Sequence, residues 1–96
     1  MTPELYLQEV RSLVDSMRDI LSESEISEVE HLIDHDEPVE GLRTLAWIIH
    51  DEGKAVSANT VVTILRLIGG SLPEHHLPPH FRAETEYDGG RNDKTL

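Results

Sequence analysis

Ninety-six residues make one small domain with room for a modest core of a few packed elements. Nineteen acidic against eight basic residues give a net charge of −11, which repels nucleic acid and anionic membranes and favours basic protein partners. The absence of cysteine excludes a disulfide framework and thiolate chemistry.

The first predicted helix runs near residues 3–21. Thr2 can cap it, Pro3 suits its first turn, and Glu4 complements the dipole. Tyr6, Leu7, Val10, Leu13, Val14, Met17, Ile20 and Leu21 recur at three- and four-residue steps and form one apolar stripe. A second helix is predicted near 24–35. Ser22 and Glu25 have capping-box spacing, Ser24 is a rival cap, and Ile26, Val29, Leu32 and Ile33 form its stripe. Pro38 ends that pattern and opens a third helix near 38–52, with Val39, Leu42, Leu45, Ala46 and Ile49 facing inward and Gly53 as the stop. Gly41 is unfavourable within a helix by about 1 kcal/mol relative to Ala, unless another backbone comes close. Ser57 caps a fourth helix near 58–68, built on Val61, Ile64, Leu65 and Ile68 and ended by Gly69-Gly70. Short loops make sequential helices near-antiparallel neighbours. The fold expected is all-α: a compact bundle of about four helices over residues 1–70, with Leu13, Ile33, Leu45 and Leu65 buried.

Residues 71–96 form an irregular C-terminal extension containing Pro73, Pro78, Pro79, His75, His76 and His80. It is either flexible or pinned to the bundle through Leu72, Leu77, Phe81 and Tyr87. No stretch is long and apolar enough to span a membrane, and Met1 is followed by no basic or hydrophobic leader pattern. The cytoplasm is the expected address.

Candidate chemistry is sparse. His31 and His35 have the i, i+4 spacing that can present two imidazoles to one ion, but the sequence offers no identifiable third ligand. No metal or cofactor is expected. No nucleophile–base pair, phosphate loop or cofactor fingerprint is present, so no enzyme activity is expected.

The most informative stretch is Glu23–Glu40, where Glu23, Glu25, Glu28, Glu30, Asp34, Asp36, Glu37 and Glu40 are interrupted by no Lys or Arg. Such a run is either a solvated face or the docking surface for a cationic partner. Its lack of internal cations removes the i, i+4 pairing that would stabilise an isolated acidic helix. On a helical wheel Trp47 lies roughly 140° from Leu42, beside Glu40, Thr44 and Asp51. An indole with acidic neighbours suits an interface anchor, and burial against the tail or a neighbouring helix is the other reading. The predicted partner-binding set is Asp34, Asp36, Glu37, Glu40, Thr44, Trp47 and Asp51.

The stretch Asp36-Glu-Pro-Val-Glu-Gly41-Leu-Arg-Thr-Leu-Ala46-Trp-Ile-Ile-His-Asp-Glu52-Gly53-Lys-Ala-Val56-Ser57 combines an acidic-Gly opening, a Leu-Ala helix, a Glu-Gly stop and a Val-Ser restart. In this it resembles small all-helical bacterial immunity proteins of contact-dependent growth inhibition and Maf-type systems, over about residues 20–70. The resemblance implies a cytoplasmic protein that binds and blocks a cognate toxin domain, often a cationic nuclease. The alternative is an acidic helical adaptor that docks a basic partner without inhibiting an enzyme. Neither reading involves direct binding to nucleic acid or membrane. The oligomeric state stays open.

Overall fold

The computed structural model describes residues 2–81. It is an all-α bundle of four helices: α1 (Pro3–Asp15), α2 (Glu23–Asp34), α3 (Pro38–Asp51) and α4 (Ala58–Ile68). Two 3-10 turns follow, Glu74–His76 and Pro79–Phe81. Among the described residues there is no β-strand and no helix long and apolar enough to cross a membrane.

Each helix start follows from local chemistry. The Leu5 N–H donates to Thr2 Oγ1 at 3.1 Å, and Pro3 occupies the first turn, where its missing donor costs nothing. Ser22, rather than Ser24, caps α2. Its hydroxyl accepts from the Glu25 N–H at 3.1 Å while Glu25 accepts from the Ser22 N–H at 2.9 Å, a complete capping box. Ser57 caps α4 through the Thr60 N–H.

The Glu25 carboxyl is held below the ordinary glutamate value, chiefly by the Ser22 N–H and secondarily by Lys54 Nζ at 3.5 Å. A depressed folded value means that this contribution to stability is present above the unfolded pKa of about 4.3 and is lost as pH falls through the folded one. An NMR titration should place the Glu25 midpoint below the ordinary glutamate value of about 4.3. A midpoint at that ordinary value would show that the capping box does not persist in solution.

The first helix is shorter than its stripe suggests. After Asp15 the chain winds more tightly: Met17 N–H donates to Val14 O at 3.0 Å, Arg18 N–H to Asp15 O at 3.3 Å and Ile20 N–H to Met17 O at 2.9 Å. Ser16 Oγ diverts the Leu13 carbonyl at 2.6 Å. This three-residue winding still delivers Met17 and Leu21 to the core, at 2% and 5% exposure. The apolar pattern is thus satisfied without the predicted helix over residues 16–21.

The core gathers Val10, Leu13 and Val14 of α1, Ile26, Val29 and Ile33 of α2, Leu42, Leu45, Ala46 and Ile49 of α3, and Ile64, Leu67 and Ile68 of α4. Leu65, expected inside, is only half-buried, and Leu67 takes the interior position. α2 and α3 pack most closely, and Gly41 is the reason. A Cβ there would lie 3.3 Å from both Ile33 Cγ1 and the Val29 carbonyl oxygen. The helix-weakening glycine therefore has a packing role.

The extension does not leave the bundle at residue 70. Leu77 is 3% exposed, Phe81 is fully buried, and Leu72 packs against the same core. Residues 71–81 form a strap whose apolar side chains complete the interior. Tyr87, the fourth predicted pinning residue, lies outside the described residues.

Candidate functional site

The acidic run divides into two classes. Four of its carboxylates meet cations from elsewhere: Asp34 pairs with Arg11 at 2.9 Å, Glu30 with Arg18 at 2.7 Å, Glu25 with Lys54, and Glu40 with Arg43 at 2.9 Å. The expectation that the run lacks cationic pairing therefore holds along the sequence within Glu23–Glu40 and fails in space. Glu23, Glu28, Asp36 and Glu37 are exposed and have no ion pair among the described residues.

Asp36 and Glu37 sit on a specific turn. The Glu37 N–H donates to Leu32 O at 2.8 Å and the Asp36 N–H to Ile33 O at 3.1 Å, the paired bonds of a Schellman ending. This places Asp36 at φ 65°, in the left-handed region that favours glycine. The end of α3 uses the same pattern with the preferred residue: Gly53 has φ 63°, and the Lys54 N–H donates to Ile49 O at 2.9 Å. Aspartate is among the few other residue types that visit this conformation. An unpaired carboxylate thus stands where local stability would select glycine, and Pro38 stiffens the chain immediately after it.

Along α3, Glu40, Thr44, Trp47 and Asp51 fall on one face at helical spacing. Glu40, Thr44 and Trp47 are half-buried and Asp51 is exposed. Asp51 closes the helix at the end where a carboxylate opposes the dipole, an unfavourable placement by about 0.3–1 kcal/mol. Trp47 is neither a free anchor nor a core residue. Its indole Nε1–H donates to the His76 carbonyl at 2.8 Å, and its ring meets His50 edge-on at a centroid distance of 5.7 Å. Glu40, Arg43, Trp47, His75 and His76 line a shallow groove between α3 and the strap.

The predicted set therefore comes together only in part. Glu40 and Trp47 share the groove. Asp36 and Glu37 project from the turn that opens α3. Asp34 is tied to Arg11 on α1, and Asp51 stands at the far end of α3. His75 and His76 were placed in the tail by sequence reasoning and had no assigned part in the groove. The hints were the reading of Trp47 as packed against the tail and the apolar Leu77 and Phe81 beyond the two histidines.

Among the described residues no group of three or more His, Cys, Asp or Glu is arranged to hold a metal ion. None of the protein-family models, curated proteins or solved structures compared with this chain matches it.

Proposed function

We propose that this protein is an acidic inhibitor of the immunity type, which binds a basic toxin domain, a nuclease, and covers its active-site surface. The observation that carries the reading is the unneutralised charge at the α2–α3 turn. Asp36 holds a left-handed position beside Glu37, and neither has an ion pair among the described residues. A non-glycine residue in the left-handed region gives up some local stability, and such positions cluster at functional sites. A net charge of −11 supplies the long-range field that steers a basic partner into place. The toxin class rests on the resemblance of Asp36–Ser57 to immunity proteins.

The test pairs this chain with any basic nuclease domain that a search of its neighbouring genes reveals. Co-expression should rescue growth, and the two should co-purify at one-to-one stoichiometry. Association should slow as salt rises, because charges are screened over about 8–10 Å at 0.10–0.15 M. The double substitution Asp36→Asn with Glu37→Gln removes both charges and keeps a residue tolerant of left-handed geometry at position 36. It should reduce the on-rate and flatten the salt dependence while leaving thermal stability unchanged. A non-toxic basic partner would identify an adaptor instead. Salt-independent association would remove the electrostatic basis of both.

A further inference from the structure

The outer face of α2 and its C-cap carry a second arrangement, which adjoins the α2–α3 turn at Asp36 and is separate from the α3 groove. His31 and His35 are exposed, one helical turn apart, with ring centroids 4.1 Å apart and planes tilted by 42°. His35 Nδ1 lies 2.8 Å from the His31 carbonyl oxygen. A carbonyl only accepts, so Nδ1 carries the proton and Nε2 holds the free lone pair. A ring nitrogen donating to a backbone carbonyl while the other nitrogen stays available is the usual outer support of a metal-ligating histidine. Spacing alone did not supply this: the sequence shows two histidines, and the fold fixes a tautomer for one and sets the other, tilted, beside it.

We infer that His31 and His35 form a two-imidazole site for a divalent transition-metal ion, with Cu2+ bound most tightly. Imidazole suits copper, nickel and zinc, and Cu2+ heads the divalent affinity order. Ring centroids 4.1 Å apart put the two exposed imidazoles close enough that a turn of the His31 ring would bring one nitrogen of each to a shared ion, at the usual nitrogen–metal distance of about 2.0–2.1 Å. Two protein nitrogens leave the remaining positions to water, consistent with the lack of a third arranged ligand among the described residues. Glu28 lies one turn before His31 and, with it, lines a shallow depression on α2 shared with Ser24, Ser27 and Leu32. Its unpaired carboxylate adds to a field that attracts a dication. A bound ion would also bridge positions 31 and 35 and so lock the last turn of α2, just before Asp36.

The experiment uses the full chain and Cu2+ alone. At substoichiometric Cu2+, the imidazole signals of His31 and His35 should broaden in NMR spectra before those of His50, His75, His76 and His80. By calorimetry, His31→Ala and His35→Ala should each weaken binding by no less than the about 10–100-fold typical of a lost outer partner. The double variant His75→Ala with His76→Ala should bind as the wild type does. Both α2 positions are exposed, so the variants should keep their helical circular dichroism. Broadening that begins at His75 and His76, or equal affinity in His31→Ala and wild type, would overturn the assignment.

Discussion

Phe81→Ala is expected to destabilise the protein by about 3–5 kcal/mol, the range for removing a buried aromatic ring. Phe81 is fully buried, although it lies eleven residues beyond the Gly69-Gly70 stop. The last described 3-10 turn presents it, with the Phe81 N–H donating to the Pro78 carbonyl at 2.9 Å. Leu65, Ile68, Leu72 and Leu77 share its pocket with Gly70 and Glu74, so truncation would open a cavity over α4 that the short turn cannot collapse to fill. A small domain has only about 5–15 kcal/mol of total stability, so the loss should be plain in a urea titration. A change within the about 0.5 kcal/mol usual for surface positions would mean that the strap does not pack in solution. A denaturation slope unchanged from wild type would show that the variant still unfolds as one unit, with the strap included.

How much of this was legible in the sequence depends on what each residue had to encode. α2, α3 and α4 begin and end within a residue of their expected limits, because Ser22, Ser57, Pro38, Gly53 and Gly69 act locally. The end of α1 was not legible. Asp15, Ser16 and Asp19 include no Pro or Gly, and the tight turns after Asp15 place apolar residues inward at nearly the helical period. The strap was half legible. Leu72, Leu77 and Phe81 could be seen as pinning residues, but without regular spacing nothing fixed which were buried. Leu65 and Leu67 were exchanged because α4 is apolar around much of its circumference, and the positions of α1 and α3 together decide which side faces in. Tyr6 Oη donating to the Leu67 carbonyl at 2.7 Å is part of that decision. The candidate site was the least legible. A count of acidic residues shows their density, whereas pairing with Arg11, Arg18 and Lys54 is a property of the packed chain, and only the i,i+3 pair of Glu40 with Arg43 is local. The left-handed geometry of Asp36 was hidden for the same reason, since His-Asp-Glu-Pro signals a helix end without saying which residue turns.

Trp47→Ala is expected to raise the off-rate of the proposed toxin complex by about 2 kcal/mol or more, the magnitude of an aromatic interface anchor, with little change in on-rate. The indole is half-buried, and its one polar hydrogen is already committed to the His76 carbonyl. That bond fixes the ring in place before a partner arrives, which lowers the ordering cost of binding. It also gives Trp47 a second role, as a clasp between α3 and the strap. The two roles separate by substitution. Trp47→Phe removes the donor and retains a ring, so it should loosen the strap slightly and preserve most of the residence time. Trp47→Ala should shorten the residence time while costing less stability than Phe81→Ala, because a half-buried ring leaves a gap open to water rather than a sealed void. Surface-plasmon kinetics and urea titrations of both variants supply the comparison. If Trp47→Ala lowers stability as much as Phe81→Ala and leaves the off-rate of the remaining folded protein unchanged, Trp47 is a clasp alone. The contact with a basic partner would then rest on the carboxylates of the α2–α3 turn, where Asp36 and Glu37 set the on-rate without an aromatic anchor.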